Sequence, residues 1–187
     1  MKLFKCVLTT AGALLLAGTA RAANPADVEV WVMLQNLSVT IASATSYDYN
    51  TVSTATSTAQ TVGFQVTNSG NVAEKYQLRV LPASTALLGG GGAWTLVSAA
   101  PAADQCRLSA LFNSVAPAVG AFDMTQDPLT LVAVTSGAID PAPFIGDQNG
   151  NGVAAAANRN LWTRFDAPTS TAQFGKVNLK IEITAIP

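Results

Sequence analysis

FQVTNSGNVAEKYQLRV, residues Phe64–Val80, decides how this chain is read. Apolar side chains at Phe64, Val66, Tyr76, Leu78 and Val80 alternate with Gln65, Thr67, Lys75, Gln77 and Arg79 on either side of Asn68-Ser69-Gly70-Asn71. Successive side chains of a strand point to opposite faces, so this is the pattern of two half-buried strands meeting at a turn.

Working outward, Val28, Val30, Val32 and Leu34 alternate with Glu29, Trp31, Met33 and Gln35, and the apolar set then moves to Leu37, Val39 and Ile41. A shift of a single residue turns every side chain to the other face, which predicts a bulge, a turn or a change of sheet near Gln35-Asn36. Ser43–Thr61 is a Ser/Thr/Ala-rich loop interrupted by Tyr47-Asp48-Tyr49-Asn50, and it feeds a strand at Thr61–Thr67. After Val80, Gly89–Gly92 is a flexible connection without the strand and helix that a phosphate loop needs. Further strands are expected at Ala93–Val97, Gln105–Phe112 and Leu161–Asp166, and at Leu129–Val134 with apolar residues on both faces. Val177, Leu179, Ile181 and Ile183 give the cleanest alternation in the chain. Gly137–Asn160 reads mostly as loop, with at most one helical turn at Ala154–Ala157. The fold class expected is all-β: an antiparallel sandwich of about eight strands with long loops in the middle, a closed barrel being the alternative. With the register flip and the closing strand taken together, Asn68–Asn71 reads as a corner between two sheets and not as a hairpin.

Residues 1–22 read as a secretory signal peptide. Lys2 and Lys5 open a small-and-apolar run, and Ala20-Arg21-Ala22 offers the cleavage site. The run is shorter than the roughly 20 apolar residues of a membrane-spanning helix. Residues 23–187 then form one domain, secreted or displayed at the cell surface, with no membrane span after cleavage. Without Lys2, Lys5 and Arg21, seven of the ten basic residues remain against eleven acidic ones. Nucleic acid is therefore not an expected partner, because its binding rests on neutralising phosphates. Charged residues make up 11% of the chain, against about 25% in an average domain, and such a surface protects sheet edges poorly from self-association.

Cys106 is the only cysteine beyond Cys6. It alternates with Leu108, Ala110 and Phe112 and is expected inside, as a small hydrophobe. The chain has no histidine, which removes the usual nucleophile–base arrangements and imidazole ligands. The carboxylate pairs Asp123 with Asp127 and Asp140 with Asp147 are within reach of one another by loops and read as turn residues. Asp147, Asn149 and Asn151 before Gly152 partly match a calcium loop, but Asn158 stands where that loop carries its glutamate. Trp31 and Trp162 each lie on the face opposite their apolar strand neighbours. They are read as covering a second sheet face or joining the core, and as sugar-stacking platforms in the alternative. No catalytic, cofactor or metal residues are assigned.

Val66-Thr67-Asn68-Ser69-Gly70-Asn71, followed by Tyr76 and Leu78, resembles the V-x-N-x-G-N pattern of immunoglobulin-like domains in bacterial secreted and cell-surface proteins. The ending, a strand closed by Ala167-Pro168 and then a long alternating strand, is similar to how those domains finish. The resemblance covers Thr61–Val80 and Leu161–Ile186. It implies an immunoglobulin-like sandwich, a positive φ at Gly70, and a structural, spacer or adhesive role without catalytic residues. The expected function is a secreted non-enzymatic structural or adhesive protein that assembles with copies of itself or binds other surface proteins. The alternatives are a glycan-binding module, or a pilus-type subunit that donates the Val28–Leu34 segment as a strand.

Overall fold

The computed structural model describes residues 32–43, 45–81, 87–88, 93–173 and 175–187. Residues 1–22, expected to be a signal peptide, together with Cys6, Trp31, residues 28–31 of the alternating segment, and Gly89–Gly92, lie outside the described residues. The chain separates into two units, Met1–Met33 and Leu34–Pro187. Of the first, only Val32 and Met33 are described, and both are exposed. The second holds the fold.

That fold is all-β. Its strands are β1 (Val39–Ile41), β2 (Ser57–Ala59), β3 (Phe64–Asn68), β4 (Lys75–Val80), β5 (Leu87–Leu88), β6 (Thr95–Leu96), β7 (Gln105–Phe112), β8 (Val134–Thr135), β9 (Asn158–Asp166), β10 (Lys176–Val177) and β11 (Ile181–Ile186). One sheet runs in the order β1-β3-β9-β7-β6, with β2 also on β9; a second runs β11-β4-β8; and β5 pairs with β10. All these pairings are antiparallel except β6 with β7, where Thr95 lies opposite Gln105 in parallel. The expected purely antiparallel arrangement is corrected at this edge.

The opening stretch does divide between two sheets, since β3 belongs to the first and β4 to the second. The alternation is kept: Val66 is buried on β3, and Tyr76, Leu78 and Val80 are all buried on β4. They share one apolar cluster with Leu108 and Phe112 of β7 and with Leu161 and Phe165 of β9. Fully burying such side chains contributes about 1.5–3 kcal/mol each, which makes this shared core the main source of stability.

The Asn-rich corner is built by its own side chains. Asn68 Nδ2 donates to the carbonyls of Val72 and Val153, both at 2.8 Å, and its Oδ1 accepts from Gly70 N at 2.8 Å. Asn71 Oδ1 accepts from Asn36 N at 2.8 Å, and its Nδ2 donates to Leu34 O at 2.7 Å. The incoming chain is thus clamped at Leu34–Asn36, where the register flip was expected, and regular pairing starts only at Val39. Gly70 does not have a positive φ. Its glycine is required by closeness instead: a Cβ there would stand 2.3 Å from Asn36 O.

Three further expectations are corrected. Leu129–Val134 is not a strand. Leu129 N bonds to Leu108 O at 2.8 Å and its side chain is buried, but Leu131 and Val132 are exposed, and β8 begins only at Val134. Val177–Ile183 is not one strand either: it divides into β10 and β11, in separate sheets. The β4–β11 pairing runs one residue further, with Leu81 N donating to Lys180 O at 2.9 Å, while Lys176 and Val177 pair with β5. Third, the Ser43–Thr61 loop contains β2, which pairs with the far end of β9. Ala154–Ala157 makes a turn closed by Ala157 N to Ala154 O at 3.0 Å, with Ala156 at φ 63°.

The outer face of the first sheet is also covered. Trp162, Leu111 and Phe122 form a second apolar cluster. Beside it Arg107, Arg164 and Asp166 are paired, with Asp166 accepting at 2.6 Å and 2.7 Å. Among the described residues, no helix is long and apolar enough to cross a membrane.

Candidate functional site

β1 and β11 are edge strands of their sheets, and they come within 8 Å of each other. On this side a groove of about 1060 Å³ opens between the two sheets. Leu108, Leu161 and Phe165, all buried, form its floor, while Ile41, Ile181 and Ile183 lie along it. The strands dictate this. β11 presents Ile181 and Ile183 to the core side by alternation, and β1 is only three residues long, so it cannot cover the length of β11.

One end of the groove carries aromatic rings. Tyr49 packs on Phe165 with centroids 5.8 Å apart, and its phenol shares a hydrogen bond of 2.6 Å with Thr163 Oγ1. Tyr47 meets Tyr49 edge-on at 4.9 Å. Trp94 stacks on Phe165 at 6.1 Å and donates from Nε1 to Thr171 Oγ1 at 3.2 Å. Burial pushes the Tyr49 phenol above its ordinary range, so it stays a neutral hydrogen-bonding group. At the rim, Lys176 pairs with Asp48 at 2.5 Å, and that bond, then one from Asn50 N, holds the Asp48 carboxyl below its usual value. Both partners are well exposed, and such pairs contribute little to stability. Chemically the groove offers apolar and aromatic contact area with a thin polar rim. Asp48 is the one carboxylate among its described lining residues, and it is paired with Lys176.

The residues singled out by sequence fall elsewhere. Cys106 is fully buried on β7, and burial pushes its thiol up to about 12. Trp162 is 7% exposed and donates from Nε1 to Asn113 O at 2.8 Å. It covers the second face of its sheet and presents no ring for a sugar, which corrects the stacking alternative at this residue. Asp123 and Asp127 do come together, but as a turn: Asp127 Oδ2 accepts from Asp123 N at 2.8 Å, and Oδ1 from Phe144 N at 2.9 Å. Burial first, against those two bonds, moves Asp127 up to about 7. Asp140 faces Asp127 through its charge, whereas Asp147 turns to Ser114, whose backbone N donates to Oδ1 at 2.6 Å and whose hydroxyl bonds Oδ2.

In the partial calcium loop two of the three candidate side chains spend their oxygens internally. Asn149 Oδ1 accepts from Asn151 N at 3.0 Å, and Asp147 serves Ser114. Among the described residues no group of three or more His, Cys, Asp or Glu could hold a metal ion.

Sequence reading missed the groove because its walls come from distant segments. The signal available was Tyr47-Asp48-Tyr49, two aromatics in a loop otherwise made of small residues. Comparison of the chain with family models, curated proteins and solved structures finds no match.

Proposed function

We propose that this is a secreted, non-enzymatic structural protein of the bacterial cell surface, built on an immunoglobulin-like sandwich and assembling with copies of itself. The observation that carries the reading is the strand order. An immunoglobulin-like domain sets its first, second, fifth and fourth strands in one sheet and pairs its third with its sixth in the other. The order β1-β3-β9-β7 supports the first sheet, and the antiparallel pair β4 and β11 supports the second. On this mapping β6 and β8 are additions inside the long middle region.

In that architecture a seventh strand lies beside the sixth. Among the described residues nothing pairs with the outer side of β11. The groove therefore has the form of an incomplete core edge, and such edges are closed by strand addition from a partner. The low charge of the chain supports the same reading, because little on the surface repels another copy. Export rests on the signal-peptide pattern at residues 1–22.

Fractionating cells that make the protein, with N-terminal sequencing and chemical cross-linking of each fraction, tests this reading. The expected product starts at Ala23, lies outside the cytoplasm and cross-links to multiples of itself. An uncleaved, cytoplasmic monomer overturns it.

A further inference from the structure

We propose that the groove beside β11 takes the leading segment 28–34 of a second copy, added as a strand along β11 with Val28, Val30, Val32 and Leu34 turned inward. This rests on the self-assembling structural role argued above and names the partner surface.

Four observations converge on it. Val32, Met33 and Leu34 are 78%, 78% and 81% exposed in a single copy, so their apolar surface is open to a partner. They are three consecutive apolar residues in the open, at the end of the alternating run that begins at Val28.

The edge of β11 is poorly guarded. Strands at sheet edges normally carry charges, proline or a bulge, whereas β11 reads Ile-Glu-Ile-Thr-Ala-Ile and its one charge, Glu182, is drawn to Arg79 of β4 at 2.6 Å. Lengths also match: seven residues extend over roughly 23 Å and the six of β11 over roughly 20 Å. Finally, charge does not oppose docking. Lys180 and the Asp48-paired Lys176 line the groove, and the segment carries no basic residue for them to repel.

Inward placement of the even-numbered residues follows from chemistry. That face carries Val28, Val30, Val32 and Leu34, while Glu29 and Trp31 take the solvent side. Ile181 and Ile183, half-buried in one copy, then gain apolar neighbours that one copy alone does not supply.

The test compares the purified protein with its Val30→Asp/Val32→Asp variant and with a Glu29→Gln control. Analytical ultracentrifugation gives the size of each, and fluorescence anisotropy measures binding of a labelled peptide of residues 26–36. Wild type and the control should form multimers. The double variant should be monomeric at concentrations at least tenfold above those at which wild type assembles, with an unchanged circular dichroism spectrum. The monomeric variant should bind the wild-type peptide, and should bind a peptide carrying the two aspartates at least tenfold more weakly.

Multimers that persist in the double variant overturn the strand assignment but leave the self-assembling role standing. A wild-type monomer at every concentration overturns both. A variant that neither assembles nor binds the peptide also refutes the groove as the acceptor.

Discussion

Replacing Asp127 with asparagine should remove a pH dependence that the fold now carries. Asp127 is 1% exposed, it accepts two backbone N–H groups, and the charges of Asp123 and Asp140 face it. Burial places its folded-state pKa at about 7, above the roughly 3.9 of an unfolded aspartate. The folded protein therefore binds a proton that the unfolded chain releases. Its stabilising contribution is complete below about pH 4 and is lost as pH rises through about 7. Each pH unit in that window is worth about 1.4 kcal/mol, so wild type should lose on the order of 2–3 kcal/mol between pH 5 and pH 8.

In Asp127→Asn one oxygen still accepts, but the amide turns a donor toward the other N–H, a cost of about 1–3 kcal/mol. The variant should be less stable than wild type at pH 5 and equal to it or more stable at pH 8. Urea unfolding followed by tryptophan fluorescence at intervals of half a pH unit measures both curves. Glu74, also raised by burial, adds a slope of the same sign to both proteins, so the difference between them isolates Asp127. Parallel curves, or a wild type whose stability rises from pH 5 to pH 8, would refute the reasoning.

Asp166→Ala should cost about 3–5 kcal/mol, since it leaves Arg107, 7% exposed, buried beside Arg164 without a counter-charge. Burial raises the Asp166 pKa, but bonds from Ser57, Arg107 and Arg164 outweigh it and the net shift is downward. Acid titration of wild type should therefore show stability lost below about pH 4, and this loss should be absent in the variant. Gly70→Ala must push Asn36 O away from 2.3 Å and should destabilise by about 1–3 kcal/mol in thermal melts. Trp162→Ala should lower stability by about 3–5 kcal/mol; an intact melt with altered glycan binding would contradict its covered position.

The architecture was legible where alternation is long enough to be self-evident. Gln105–Phe112 is β7 from end to end, and the two halves of Phe64–Val80 are β3 and β4 with their apolar residues inside. The Asn-Gly corner was legible as a corner, but the need for Gly70 was not, because the crowding atom belongs to Asn36, far upstream. β2 and β8 were invisible for a related reason. Each is two or three residues long and exists through pairing with a partner strand, not through its own pattern. Val177–Ile183 shows the opposite failure: an unbroken alternation is shared between two sheets because Val177 pairs with Leu87 of β5 whereas Ile181 onward pairs with β4. The groove was least legible of all. Lys176 and Asp48 are 128 residues apart and Tyr49 and Thr163 are 114 apart, so no local spacing encodes it.

The energetics of the proposed strand exchange decide what kind of assembly follows. Four inward side chains, Val28, Val30, Val32 and Leu34, contribute about 1.5–3 kcal/mol each if fully buried, or roughly 6–12 kcal/mol in all. Association costs about 4–15 kcal/mol in lost freedom before any contact is counted. Apolar burial alone thus reaches no more than rough balance, and the surplus must come from main-chain hydrogen bonds to the free edge of β11. Those bonds are blind to sequence. The alternation of the segment therefore sets which chain is accepted and in what register, while the edge sets how strongly it is held. It follows that substituting Val30 alone should weaken assembly by one or two orders of magnitude without abolishing it, as about 1.4 kcal/mol is tenfold in affinity. Dilution series of a Val30→Ala protein measure this; a wild-type dissociation curve would show that the segment's inward face is not what the groove reads.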